Sequence, residues 1–238
     1  MTSLVVVTGG SRGLGRAMVQ AAPVGSTILE VSRSGGTPGT EHVAADLADP
    51  AVWPEVGDRV AAAVVRADWD RIVFVHAAGV IAPIGFAGEV AAADYAASVL
   101  VNSAAGQVLG ERFLAAVRDL GSHRQFCWIS SGAASSAYPG WSAYGAGKAA
   151  ADHWVRTVGA EQRLRGGVEV CAVAPGVVAT DMQAAIRATD ERDFPAVARF
   201  RRLHADGALR DADDTARQLW AVLDAGVTPG EVLDLRDV

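Results

Sequence analysis

Cysteine is scarce, with only Cys127 and Cys171 in 238 residues. Each lies inside an apolar run, "FCWIS" and "VCAVAP". That setting reads as a pair of reduced core thiols and excludes a disulfide framework, so a reducing cytoplasm is the expected location. Basic blocks are also missing. The chain has 21 Lys and Arg against 27 Asp and Glu, a net charge of −6, so neither nucleic acid nor an anionic membrane surface is an expected partner. No apolar run is long enough to span a bilayer. The opening "MTSLVVVTGG" lacks the basic flank and long apolar core of a secretory leader. The five histidines, His42, His76, His123, His153 and His204, are scattered and not spaced as metal ligands, so no metal site is expected. Internal repeats and low-complexity tracts are absent.

What is present is a regular alternation. Half the residues are hydrophobic, which suits one domain over 1–238 with a substantial core. Seven short apolar runs ("SLVVVTG", "STILEVSR", "EHVAADL", "RIVFVHAAG", "RQFCWISS", "GVEVCAVAPG" and "GEVLDLRD") read as strands covered on both faces. Segments of helical spacing separate them, such as "GRAMVQAA" and "AADHWVRTVGAEQRLR". This alternation predicts an α/β fold, a single Rossmann-type doubly wound parallel sheet of seven strands with helices on both faces. The one long interval without a strand, 180–211, is charged with scattered apolar residues. It is expected to form short helices over a sheet edge and to act as a substrate lid.

The first strand ends in "TGGSRGLGRAM", with Gly9, Gly13 and Gly15 where strand becomes helix. Helix N-terminal N–H groups favour a phosphate there, and glycines let the backbone approach it. Thr8, Ser11, Arg12 and Leu14 complete the loop. An acid at the end of the second strand would hold the ribose diol of NAD. "LEVSRS" instead places Ser32 there, followed by Arg33. With Arg12, this suits a 2′-phosphate, so the expected cofactor is NADPH/NADP. Glu30 lies two residues upstream and should sit deeper in the strand. Asp46 is a candidate acceptor for an adenine amino group, or equally a helix N-terminal acid.

In "SAYGAGKAA", Tyr144 and Lys148 are one helical turn apart and share a face. The small residues around them would let cofactor and substrate approach the helix. Ser131 stands thirteen residues before Tyr144. In the order T-G-x-x-x-G-x-G, Ser, Y-x-x-x-K, the chain resembles the short-chain dehydrogenase/reductase family over essentially its whole length. The resemblance implies that Tyr144 donates the proton and Ser131 holds the carbonyl oxygen. It implies that Lys148 tunes the phenol and binds the ribose, and that Asn102 of "VLVNSAAG" holds a relay water. An ammonium and an oxidised nicotinamide nearby would lower the phenol pKa. Around the nicotinamide the resemblance places Pro175, Gly176, Val178 and Thr180 of "VAPGVVATDM", and it places Ala78 and Gly79 beside the cofactor.

The family's N-N-A-G is replaced here by His76-Ala77-Ala78-Gly79, and His76 reads as a core histidine. Within the family the chain is similar to the sepiapterin reductase and benzil reductase branch, on "SSGAASSAYPGWSAYGAGKAA", "APGVVATDMQAAIR", "DFPAVARFRRLHADGAL" and "GEVLDLRDV". That implies reduction of an activated ketone such as a 1,2-diketone. Tyr138, Trp141, Met182, Ile186 and Phe200 are the candidate pocket walls, and Asp234 is a candidate substrate anchor. Alternatives are an alcohol dehydrogenase, a reductase of pterin or carrier-bound ketones (served by Arg187, Arg192, Arg199, Arg201 and Arg202), or a non-catalytic NADPH sensor. The resemblance also implies a homodimer or homotetramer paired through the helices carrying Asn102 and Tyr144.

Overall fold

A computed structural model describes residues 2–237. The seven expected strands form: β1 (Ser3–Thr8), β2 (Thr27–Ser32), β3 (Glu41–Ala44), β4 (Arg71–His76), β5 (His123–Ile129), β6 (Glu169–Ala174) and β7 (Glu231–Asp234). They build one sheet in the order β3-β2-β1-β4-β5-β6-β7, and every pairing is parallel. The helices are α1 (Gly13–Gln20), α2 (Trp53–Val65), α3 (Ala92–Val99), α4 (Ala105–Val117), α5 (Ser142–Arg165), α6 (Asp181–Ala188), α7 (Val197–Ala205) and α8 (Ala212–Ala225). No described helix is long and apolar enough to cross a membrane.

Strand alternation divides the core in two. Val5, Val7, Val73 and Val75 pack with Met18 of α1 and Leu219 of α8. Leu4, Val6, Phe74 and Phe126 point the other way, onto Val60 of α2, Phe113 of α4 and Val155 of α5. Both faces are therefore covered, which is why the strands read as unbroken apolar runs. The strand order reverses between β1 and β4, and in open sheets of this kind ligands sit outside the carboxyl ends of the strands at that point.

Two features depart from expectation. α3 was not foreseen, and it runs through a widened π-helical turn (Leu100–Ala104) into α4. Only Ser98 of its residues is buried, so it carries no apolar stripe to betray it. Segment 180–211 does form short helices, but not over a sheet edge. Ile186, Phe194, Val197 and Phe200 join Ile81, Ala133, Trp141 and Tyr144 in a third apolar cluster. Ile81 follows β4 and Ala133 follows β5, so the segment roofs the carboxyl ends of the central strands. The aromatic side chains decide this: Trp141 stacks on Phe194 with centroids 4.4 Å apart and meets Phe200 at 5.2 Å.

Candidate active site

A cavity of about 880 Å³ opens at the carboxyl ends of the strands. At one end the glycine loop forms a cradle with no room for side chains. Gly9 has φ +75° and a Cβ there would stand 2.7 Å from the Ala78 Cα, while one on Gly15 would stand 2.2 Å from the Gly9 carbonyl oxygen. α1 begins at Gly13 without a side-chain cap, which leaves its first-turn N–H groups for a ligand. Ser11, Arg12, Gly13 and Leu14 line the cavity, as do Ser32, Arg33 and Asp46. Ala78, Gly79, Pro175, Gly176, Val178 and Thr180 line it farther along. The residues present fit a dinucleotide: a phosphate-sized backbone cradle, with two exposed guanidiniums beside it.

Thr8 is a correction. It does not line the cavity; its hydroxyl bonds His76 Nδ1 at 2.9 Å and accepts from the Ala78 N–H at 3.3 Å. It braces the loop from below. Ser32 does line the cavity, but its hydroxyl bonds Glu30 Oε1 at 3.0 Å and His42 Nε2 at 3.0 Å.

At the other end Ser131, Tyr144 and Lys148 meet. Ser131 has extended backbone and caps the turn after β5, accepting from the Ala133 N–H at 3.2 Å. Its hydroxyl also faces the Tyr144 phenol and favours the phenolate. Lys148 is 4% exposed; its Nζ donates to the Ile129 carbonyl at 2.8 Å and lies 5.8 Å from the centre of the Tyr144 ring. Burial pushes the lysine down to about 8, opposed by nearby Asp152. Burial also raises the Tyr144 phenol, and the Ser131 hydroxyl only partly offsets it, because desolvation of the phenolate outweighs the help available from the chain's own residues.

Asn102 is fully buried behind the cavity wall, its Oδ1 3.3 Å and the Lys148 Nζ 3.5 Å from where a Gly79 Cβ would be. Its Oδ1 accepts from the Val80 N–H at 2.9 Å, and its Nδ2 donates to the Val80 carbonyl at 2.8 Å and to Ser98 Oγ at 3.0 Å. The side chain ties residue 80 to Ser98. The small residues of "SAYGAGKAA" also differ from expectation. Of the helix face, only Tyr144 and Lys148 line the cavity. Gly147 instead admits Asn102, whose Cβ lies 2.8 Å from where a Gly147 Cβ would be. His76 is buried as expected, held neutral with a pKa near 3 by burial and by the Lys148 charge.

Tyr138, Trp141, Met182, Ile186 and Phe200 all line the cavity. Asp234 does not. Its carboxylate accepts from Arg236 Nε at 2.8 Å, and the guanidinium of Arg236 reaches the cavity in its place. Asp234 ends β7 and is occupied by Arg236 two residues on. Sequence reasoning also missed Ser130, whose hydroxyl donates to Asp152 at 2.5 Å. Spacing offered a signal: Asp152 is one turn beyond Lys148 on α5. Arg199 was noted only as a carrier contact, yet it donates to the Tyr138 hydroxyl at 2.8 Å.

The profile of the short chain dehydrogenase family matches residues 3–191. A benzil reductase ((S)-benzoin forming) of Bacillus subtilis is 31% identical over 98% of both chains. A short chain dehydrogenase/reductase structure from Saccharomyces cerevisiae superposes with a TM-score of 0.82 at 25% identity, covering 100% of this chain and 97% of that one. A Beutenbergia cavernae structure, assigned as an NAD(P)-dependent gluconate 5-dehydrogenase with NADP bound at low occupancy, gives 0.78 at 29% identity over 98% and 94%. The family match over most of the chain and a relative 31% identical over nearly its whole length show that this chain belongs to the short-chain dehydrogenase family of oxidoreductases.

Proposed function

We propose that the protein is an NADPH-dependent carbonyl reductase that converts one carbonyl of a 1,2-diketone into a chiral hydroxyketone. The observation that carries this reading is the joining of two features in one cavity: a Ser131–Tyr144–Lys148 set at its floor, and an apolar wall of Tyr138, Trp141, Met182, Ile186 and Phe200 around it. The benzil reductase likeness points the same way. The bound nicotinamide supplies the hydride. The residues of this chain do the rest. Arg12 and Arg33 face the cavity where a 2′-phosphate would be met, and guanidiniums are the better ligands for it. Ser131 donates to the carbonyl oxygen and steadies its growing charge. Tyr144 gives its proton to that oxygen, and a phenol raised by burial holds the proton until an alkoxide forms.

Lys148 remains an ammonium near neutrality, being at about 8, and restores charge balance beside the phenol. Asn102 holds the water that passes protons on from Lys148. Flat walls suit a flat substrate, and the second carbonyl makes hydride attack easier. The product's remaining ketone lacks that activation, so turnover stops after one reduction. Segment 180–211 acts as the lid that fixes which face is attacked. The enzyme works in the cytoplasm as a homodimer or homotetramer.

The test is absorbance at the nicotinamide band with NADPH and a panel of aryl, bicyclic and small diketones beside carrier-bound thioesters. Diketone turnover with one enantiomer formed supports the reading. Turnover of carrier-bound or sugar ketones alone overturns the substrate assignment.

A further inference from the structure

The loop after β2, residues 33–40, holds three of the chain's glycines, Gly35, Gly36 and Gly39, yet it is tied down. Glu30 is fully buried, although an unpaired buried acid is costly. Its Oε2 accepts from the Thr37 N–H at 2.7 Å and its Oε1 from the Ser32 hydroxyl at 3.0 Å. The Ser32 hydroxyl also reaches the Ser34 carbonyl at 3.2 Å and His42 Nε2 at 3.0 Å. The loop closes on itself through Thr40, whose hydroxyl donates to the Thr37 carbonyl at 2.7 Å. Gly36 is pressed on His42; a Cβ there would stand 2.8 Å from the His42 Cβ. On its other side the Glu30 side chain fills the space that Gly10 leaves open, 2.5 Å from where a Gly10 Cβ would be. One carboxyl group therefore touches both the glycine cradle and the loop that begins with Arg33, without itself lining the cavity.

The geometry points to Glu30 as a positioning residue for cofactor selection: it braces the Thr37 N–H so that loop 33–40 presents Arg33 to the 2′-phosphate of the dinucleotide. This rests on the NADPH reading above. An acid near the end of β2 ordinarily takes the ribose diol of NAD. Here the side chain is turned beneath Ser32, and its acceptor atoms are spent on the loop. Two effects of Glu30 oppose each other. Its charge repels a nearby phosphate, while its bonds hold the cation that attracts one. The repulsion is partly screened by the intervening Ser32 and the cavity solvent. The loss of an ordered charge-assisted contact weakens binding by about tenfold or more, so the brace is the larger effect.

Calorimetric titration of the free protein with adenosine 2′,5′-bisphosphate and with adenosine 5′-monophosphate reads the 2′-phosphate contact without turnover. The wild type should favour the bisphosphate by more than about tenfold. Glu30→Ala should remove most of that preference, leaving monophosphate affinity within about twofold. Glu30→Gln keeps an acceptor for Thr37 and loses the charge, and should stay within about threefold of wild type for both. In an Arg33→Ala background, Glu30→Ala should add nothing, because both act through one contact. Glu30→Met fills the same volume without the acceptors and replaces the alanine variant if that does not fold. Equal weakening of both ligands, tighter bisphosphate binding in Glu30→Ala, or a Gln variant as weak as the alanine one overturns the brace. A wild type with no preference overturns the NADPH reading beneath it.

Discussion

His76 makes the fold of this protein acid-sensitive in a measurable way. The imidazole has no exposed surface. Nδ1 bonds the Thr8 hydroxyl, Nε2 has no partner among the described residues, and the ring packs edge-on to Trp128 at 4.9 Å. Burial and the Lys148 charge hold its pKa at about 3, against 6.5 for an ordinary histidine. Between these values the unfolded chain binds the proton and the native protein does not. Stability from this group is therefore whole above about 6.5 and is lost as pH falls towards 3. Each pKa unit is worth ~1.36 kcal/mol, so acidifying from pH 7 to 4.5 should remove about 2–3 kcal/mol through His76 alone. Carboxylates also titrate in this range, so the comparison is with His76→Gln, which keeps a hydrogen-bonding partner for Thr8 and cannot titrate. Urea unfolding of both proteins at the two pH values gives the number as a difference of differences. The wild type should lose about 2–3 kcal/mol more than the variant. Equal losses would mean that His76 is protonated in the native state or screened by water, and the reasoning from burial would be wrong.

Tyr144→Phe should lower the reduction rate by about 10²–10⁴-fold while cofactor binding, read by fluorescence titration, stays within a few-fold; retention of more than about a tenth of the rate would mean that another group donates the proton. Arg12→Ala with Arg33→Ala should erase the preference for NADPH over NADH, each contact being worth roughly 1.5–3 kcal/mol; equal kcat/KM for the two cofactors in the wild type refutes it. Trp141→Ala should lower the Tm, since the residue is 5% exposed and such a truncation costs about 3–5 kcal/mol. Below that Tm it should reduce kcat/KM for an aryl diketone far more than for diacetyl; equal losses on the two would place Trp141 in the scaffold alone.

Much of this was legible in the chain. The apolar runs are continuous because both faces of each strand are covered, and all seven strands form where those runs lie. The glycine spacing reports a close approach of backbone to backbone, which the Gly9–Ala78 and Gly15–Gly9 contacts display. The one-turn separation of Tyr144 and Lys148 needs only a helix to bring them together, and a helix needs only local geometry. Ser131 follows from the strand before it.

What escaped the sequence depends on contacts between distant segments. No local pattern shows that Asn102 would spend its amide on Val80, since the π-helical turn that aims it is set by packing against Gly147 of α5. No pattern shows that Thr8 would face His76, because that pairing exists only where β1 and β4 lie side by side. Segment 180–211 was expected over a sheet edge, and the aromatic face around Trp141 drew it over the strand ends instead. No local pattern shows that the Asp234 carboxylate is taken by Arg236, while Arg236 itself lines the cavity. A sequence states which atoms each residue offers; tertiary packing decides which of those atoms are already taken by a neighbour, and so which remain for a ligand.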